Sequence, residues 1–410
     1  MNTMALDQLE PNDIFFQKIL HYGMRDKTIQ DVLLLEKKPA TAKGENYLSY
    51  LTRFTLGYTC GVSDRPNEKN QKKVHLIMKE EPETSGETLR YIREGKIFHN
   101  ERYILEEVVP KIEKLVGKKL GPKVYYFSNN PSVIVMEDLM TLGFQNKNRK
   151  VGFNEADVSI VLENMADFHA GSIYLEEQNP GCMSEIENGF IGPNLPEGFF
   201  TFIASGVKSI GAGVRDWQNG RFVSISDKLG KKSKEIIQEL KVIYECDENE
   251  LRTLNHGDIW MNNVMFKSDK NGKTQESCFV DYQMCAWTSP AFDLVYFLSI
   301  SPELNLKLTH EDIFLKIYLK RLASTMKRLG CKARTLTLEE LKKSMHKRRA
   351  LALMAALVYY PKMIAEDDEV EPMDDIMTKG EALIDLLKNP LTKETMAKIL
   401  PILDQRGYLD

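Results

Sequence analysis

Leu254-Asn-His-Gly-Asp-Ile-Trp-Met-Asn-Asn263 and, after it, Val280-Asp-Tyr-Gln283 are the stretches on which the fold turns. Asp258 stands in a turn beside Gly257, free to point into a cleft, and Asn263 follows five residues later at the mouth of a strand. Asn263 to Phe266 and Ser277 to Val280 read as a hairpin turned at Asn271-Gly272. Strand pairing then brings Asp281 back beside Asn263. A carboxylate, an amide and a second carboxylate at a hairpin mouth can hold Mg²⁺ through hard oxygens while leaving a base free. Phosphoryl transfer needs that set: a metal to neutralise phosphates and a carboxylate to orient the attacking hydroxyl. A bare His-x-Asp-x-x-x-x-Asn match is common in turns, so the hairpin and Asp281 behind it carry the weight.

Working outward, the upstream third supplies the other half of such a site. Asp31 to Glu36, Tyr47 to Tyr58 and Lys73 to Glu80 read as three strands, the last ended by Pro82. Lys79 closes an otherwise largely apolar strand, where a lysine calls for a partner. Glu101 lies 22 residues on, within a helical pattern from Thr88 to Leu115, where it could fix Lys79 against phosphates. Gly44 to Ser49 precedes the second strand and would cover the phosphates, although with a single glycine it is a weak cradle. Lys123 to Phe127 and Ser132 to Glu137 read as two short strands around Asn129-Asn130-Pro131. Strands, one helix and more strands make a small mixed lobe over residues 1–138. From 139 to 410 the texture is helical, with helices expected at Glu155 to His169, Leu229 to Tyr244 and Leu338 to Ile364. The acidic run Glu366 to Asp375 reads as a solvated loop.

The order Gly44–Ser49, Lys79, Glu101, Val135-Met-Glu-Asp-Leu139, His256-Gly-Asp and Asp281-Tyr-Gln resembles the aminoglycoside phosphotransferase and choline kinase superfamily. Gly44-Glu-Asn-Tyr, Met136-Glu-Asp-Leu-Met-Thr-Leu-Gly143, Phe168-His-Ala170 and His256-Gly-Asp-Ile-Trp-Met-Asn-Asn-Val-Met-Phe266 are similar to the ecdysteroid 22-kinase-like family of arthropods. The resemblance implies an α+β, protein-kinase-like two-lobe fold, with nucleotide bound by residues 1–138 and the catalytic loop, metal and acceptor held by 139–410. It implies Asp258 as catalytic base, Asn263 and Asp281 as Mg²⁺ ligands, Lys79 on the nucleotide phosphates and Glu101 holding Lys79. It also implies backbone groups at Glu137 to Leu139 facing adenine, Ser49 in the phosphate loop, and His256 and Asp293 as structural support. The activity implied is ATP- and Mg²⁺-dependent phosphorylation of a small-molecule alcohol, favoured at the 22-hydroxyl of an ecdysteroid. Phosphorylation of plant or other foreign alcohols is the alternative within that class. A catalytically inactive nucleotide-binding protein is the alternative outside it, disfavoured because Lys79, Asp258, Asn263 and Asp281 are all present.

Two departures separate the chain from protein kinases. Asp281 is followed by Tyr282-Gln283 rather than Phe-Gly, and only 12 residues run from Asp281 to Asp293, too few for a phosphorylated activation segment. On the acceptor side, Phe190 to Trp217 is aromatic among glycines and prolines, so Phe199, Phe200 and Phe202 are the expected apolar pocket. Packing on their own lobe is the plainer reading of these residues. Trp260 reads as packing the catalytic loop before it reads as an acceptor contact, and His169 as a satisfied histidine inside the helical lobe. Composition excludes other classes. With 55 Lys+Arg against 59 Asp+Glu, the formal charge of −4 does not suit a general polyanion binder. Hydrophobic residues at 42% and charged residues at 28% are those of a globular chain, and 410 residues suit two or three domains of ~150. Six scattered cysteines without a Cys-x-x-Cys pair point to free thiols in a reducing compartment. Met1 to Phe16 lacks a basic leader pattern, and the longest apolar run, Ala350 to Tyr360, is 11 residues, short of the ~20 of a bilayer span. A cytoplasmic protein with no membrane span and no obligate protein partner is expected.

Overall fold

Strand chemistry organises the first third of the chain around one antiparallel sheet. The coordinates are those of a computed structural model and describe residues 13–40, 48–60, 71–82, 86–183, 186, 189–192, 195–364 and 386–410. Gly44 to Tyr47 of the expected phosphate loop and the acidic run Glu366 to Asp375 lie outside the described residues. Helix α1 (Asp13–Met24) leads into β1 (Ile29–Pro39), β2 (Tyr50–Cys60) and β3 (Lys72–Glu80). After three short helices, α2 (Glu87–Glu94), α3 (Ile97–Tyr103) and α4 (Val109–Val116), come β4 (Val124–Asn129) and β5 (Ser132–Glu137). The sheet order is β1-β2-β3-β5-β4. One face packs on α1, whose Phe15, Phe16, Ile19 and Leu20 are buried against Phe54, Leu56, Leu76 and Val135. Burial of a side chain such as Phe54, 1% exposed, stabilises by about 1.5–3 kcal/mol. The helices α2 to α4 share one continuous core with the helical remainder instead.

Thr88 to Leu115 is not the single helix that its periodicity predicts. Gly95 and Lys96, the latter left-handed at φ 52°, separate α2 from α3, and a π-helical stretch, Ile104–Val108, separates α3 from α4. A second π-helical stretch, Met354–Tyr359, interrupts the expected helix Leu338 to Ile364. A proline follows each two residues past its end, Pro110 and Pro361, and has no N–H to give to the carbonyl four residues back.

Beyond Glu137 the chain leaves the sheet, and Asp138 caps the 3₁₀ turn Leu139–Leu142 by accepting from the Met140 N–H. A short β6 (Phe144–Gln145) precedes the helical part. Helix α5 (Glu155–Gln178) is capped by the Asn154 side chain and, buried over most of its middle, forms the axis of this half. Helices α6 (Glu197–Val214) and α7 (Val223–Lys241) lead to β7 (Thr253–Asn255), and β8 (Val264–Ser268) with β9 (Thr274–Phe279) is the expected hairpin, with Gly272 at φ 78° in its turn. Strand β10 (Ala286–Thr288) pairs antiparallel with β7. Then follow α8 (Ala291–Ile300), α9 (Leu304–Thr309), α10 (Glu311–Leu329), α11 (Leu338–Lys347), α12 (Arg349–Leu353) and α13 (Tyr360–Ile364). Helices α5 and α10 are tied by buried Asp167, which takes both arms of Arg321 at 2.8 and 2.7 Å and Lys118 at 2.5 Å. Arg348 breaks α11 from α12, its buried guanidinium held by Glu250 at 2.7 Å. A sheet lobe followed by a helical lobe, with a β hairpin at the inner edge of the latter, is the α+β two-lobe kinase-like fold.

No helix among the described residues is long and apolar enough to cross a membrane. The six cysteines are free thiols.

Candidate active site

The turn between β7 and β8 is built around one carboxylate. Asp293, at the start of α8 and fully buried, accepts the main-chain N–H of His256 at 2.7 Å and of Gly257 at 2.9 Å. Its own N–H donates to Asn255 at 3.1 Å, and His169 approaches Oδ2 at 3.2 Å while meeting the Tyr318 hydroxyl at 2.7 Å. His256 sits between the turn and the hairpin. Its Nε2 donates to the Val280 carbonyl at 3.0 Å and its Nδ1 faces the Asp258 N–H at 3.4 Å. Burial pushes the ring below its ordinary pKa, so it is the neutral tautomer that carries this framework. Gly257 cannot be replaced without moving the turn, because it has φ 84° and a Cβ there would stand 1.9 Å from the Met284 carbonyl oxygen.

Asp258 emerges from this turn with both oxygens engaged. The Tyr296 hydroxyl donates to Oδ1 at 2.9 Å, and the Asn263 amide donates to Oδ2 at 2.9 Å and to the Asp258 carbonyl at 2.9 Å. Burial, helped by the charge of Asp281, pushes its carboxyl up to about 7, and the two hydrogen bonds pull against that rise. The Asn263 NH₂ is committed to Asp258, which turns its side-chain oxygen into the atom left for a cation. Asp281 is left-handed at φ 67° and heads the 3₁₀ turn Tyr282–Met284. Tyr282 anchors that turn, its buried hydroxyl donating to the Leu120 carbonyl at 2.8 Å.

From the sheet lobe, Lys79 on β3 reaches this turn and is 2% exposed. Its ammonium meets Glu101 at 2.6 Å, Asp281 at 2.5 Å and the Gln283 side-chain oxygen at 3.0 Å. Burial alone would lower the lysine's pKa, but the charges of Asp281 and Glu101 outweigh it and hold the ammonium above its ordinary value. Burial lifts the Glu101 carboxyl, with Lys79 working against it. Lys79, Glu101, Asp281 and Gln283 thus form one linked group and Asp258, Asn263 and Tyr296 another, and the Val280 N–H, donating to the Asn263 carbonyl at 3.0 Å, ties the two through the main chain. Asp281 and the Asn263 amide offer one anionic and one neutral hard oxygen beside a base, which suits Mg²⁺.

The remaining sequence expectations fall differently. Ser49 is buried at 1% with a hydroxyl that has no hydrogen-bond partner, next to residues outside the description. Among the backbone groups of Glu137 to Leu139, the N–H of Glu137 donates to the Lys123 carbonyl at 2.8 Å and that of Asp138 to the His75 carbonyl at 3.2 Å. Phe199, Phe200 and Phe202 are 1–3% exposed and belong to the main core. Their stretch forms α6, whose apolar face packs inward, so these three rings present no surface to an acceptor. Trp260 is half-buried at the core's edge. Tyr359, also half-buried, stands 6.4 Å from the Tyr296 ring, and half-buried Phe190 packs on Phe199 at 4.9 Å while its carbonyl accepts from Tyr91 at 2.8 Å. Tyr296, Gln283 and the link from His169 to Asp293 went unread in the sequence. A signal for Tyr296 was present, since it lies three residues after Asp293 and shares its helix face.

The ecdysteroid kinase-like family model matches residues 43–331, well over half of the chain. No curated protein matches significantly. Among solved structures, the ternary complex of APH(2")-IIa with streptomycin and ATP shares 12% identity at a TM-score of 0.37, covering 93% of this chain and 98% of that one. The macrolide 2'-phosphotransferase MphH of Brachybacterium faecium shares 11% at a TM-score of 0.34, covering 81% and 92%. The amicoumacin kinase hAmiN, in complex with AMP-PNP, Ca²⁺ and Ami, shares 12% at 0.32, covering 86% and 91%.

Proposed function

The chain belongs to the ecdysteroid kinase-like family, and from that premise we propose that it is a small-molecule kinase. It transfers the γ-phosphoryl group of ATP, with Mg²⁺, to an alcohol hydroxyl, and the favoured acceptor is an ecdysteroid at its 22-hydroxyl. Residues 1–138 serve the nucleotide, and 139–410 serve the metal, the base and the acceptor. The observation that carries this reading is the pairing of Lys79, held by Glu101 of the sheet lobe, with Asp281 of the helical lobe, whose charge acts on the Asp258 carboxyl bonded to Asn263.

In this role Asp258 receives the acceptor's hydroxyl proton, with Tyr296 and Asn263 holding its carboxylate in aim. A carboxyl near 7 is matched to proton transfer close to neutral pH. Lys79 turns its charge to the nucleotide phosphates and Glu101 keeps it in place. Asn263 and Asp281 would hold Mg²⁺, which when bound neutralises phosphate charge. His256 and Asp293 fix the loop and take no part in proton transfer.

ATP turnover against a mixed panel of steroid and phenolic alcohols, with Mg²⁺ and with EDTA, tests the proposal. Turnover that requires both an alcohol and Mg²⁺ supports it. Equal turnover in EDTA, or none with any alcohol although nucleotide binds, overturns it.

A further inference from the structure

Gln283 stands where protein kinases carry the glycine of the metal-aspartate turn, and nothing in the proposed chemistry yet uses it. It is 6% exposed, and both ends of its amide are spent inside the site. Its side-chain oxygen accepts from the Lys79 ammonium at 3.0 Å, and its NH₂ donates to Asp281 Oδ2 at 3.2 Å. Lys79 also donates to Asp281 Oδ1 at 2.5 Å, so the three side chains close a ring. The ammonium donates to Asp281 and Gln283, and the Glu101 carboxylate lies against it as an ion pair at 2.6 Å, so two carboxylates share its charge inside the protein.

For Lys79 to turn its charge to a nucleotide, one of the two carboxylates has to give way. Glu101 is buried at 1%. Asp281 is the most exposed of the partners, its side chain 19% accessible, and the same carboxylate is the anionic oxygen ligand of the site. We infer that Gln283 is a positioning residue that keeps Lys79 in place when Asp281 is withdrawn from it to a divalent cation. After that exchange Lys79 retains one carboxylate and one neutral amide, and turns the N–H released by Asp281 outward. A neutral partner suits this task, because it fixes the ammonium without cancelling the charge that the phosphates need. Its second bond, to Asp281, holds the carboxylate while the lysine lets go. The turn is stiff enough to support this, since Tyr282 is pinned to Leu120 and no glycine follows Asp281.

The inference rests on the kinase reading above, and its test separates the two. Binding of the non-hydrolysable nucleotide AMP-PNP is measured by calorimetry on the whole chain, once with Mg²⁺ and once with EDTA. With EDTA Asp281 still holds Lys79, so Gln283→Met, similar in shape but without the amide, should change affinity by less than twofold. With Mg²⁺ the same variant should bind about tenfold more weakly, the scale of one hydrogen bond to a charged group. A residue that merely supports the fold would weaken both conditions alike. Equal loss in the two, or no loss in either, overturns the inference while leaving the kinase reading intact. Failure of the unaltered protein to bind AMP-PNP with Mg²⁺ overturns the kinase reading, and the inference with it. If Gln283→Met does not fold, as a thermal melt would show, Gln283→Ala is read by the same pair of titrations. A Mg²⁺-specific loss of at least threefold is then expected, and its absence overturns the inference.

Discussion

Asp293→Asn exchanges one heavy atom and should uncouple the catalytic turn from the rest of the helical lobe. In the native site both carboxylate oxygens accept main-chain N–H groups, of His256 at 2.7 Å and Gly257 at 2.9 Å, in a fully buried setting. An N–H bonded to a charged acceptor contributes about 1.5–3 kcal/mol. The amide keeps one oxygen, now neutral, and turns an NH₂ against the other main-chain N–H, so one charge-assisted bond is lost and a buried donor faces a donor. The expected cost is about 2–4 kcal/mol. Because His256 and Gly257 lead directly into Asp258, the base loses its fixed aim, and misplacement on that scale is expected to lower kcat by roughly 10². The stability loss is read from denaturant unfolding, and kcat and the KM for ATP from steady-state kinetics on the folded fraction. A variant less stable by under about 1 kcal/mol with kcat within threefold of the parent would refute the claim that Asp293 braces this turn.

Asp258→Asn keeps the shape of the base but cannot accept a proton, so kcat should fall by ~10²–10⁴ while AMP-PNP affinity by calorimetry stays close to that of the parent. Asp281→Ala and Asn263→Ala should both lose turnover, and a Mg²⁺ titration should restore Asn263→Ala further, since it lacks only a neutral ligand; identical rescue of the two would contradict their assignment. Phe199→Ala should lower stability by about 3–5 kcal/mol as a core truncation, with the acceptor KM of the folded enzyme unchanged. A raised acceptor KM without loss of stability would return that ring to the acceptor pocket.

Much of the sheet was legible because strand signals are local. Alternating apolar residues, Pro82 and the Asn271-Gly272 turn mark where strands stop, and β3, β5 and the β8–β9 hairpin lie within a few residues of the expected positions. The helices were less so. Apolar periodicity continues through Thr88 to Leu115 and Leu338 to Ile364, but it cannot register a left-handed Lys96, a buried Arg348 pairing with Glu250, or a π turn ahead of a proline. The aromatic stretch misled for a related reason. Composition shows that Phe199, Phe200 and Phe202 are apolar, and only the packing of α6 shows which way they face.

By itself the chain's sequence determined the chemical inventory: an Asp-x-x-x-x-Asn turn, a hairpin returning Asp281 to it, and a lysine at a strand end with a glutamate on the next helix. These are readable because short spacings and residue types decide what groups can do. Only the tertiary structure decided which groups share hydrogen bonds. Lys79 meets Gln283 across 204 positions, Tyr296 meets Asp258 across 38, and His169 reaches Asp293 across 124. Such contacts are set by the packing of whole helices and sheets against one another, and no local pattern records them.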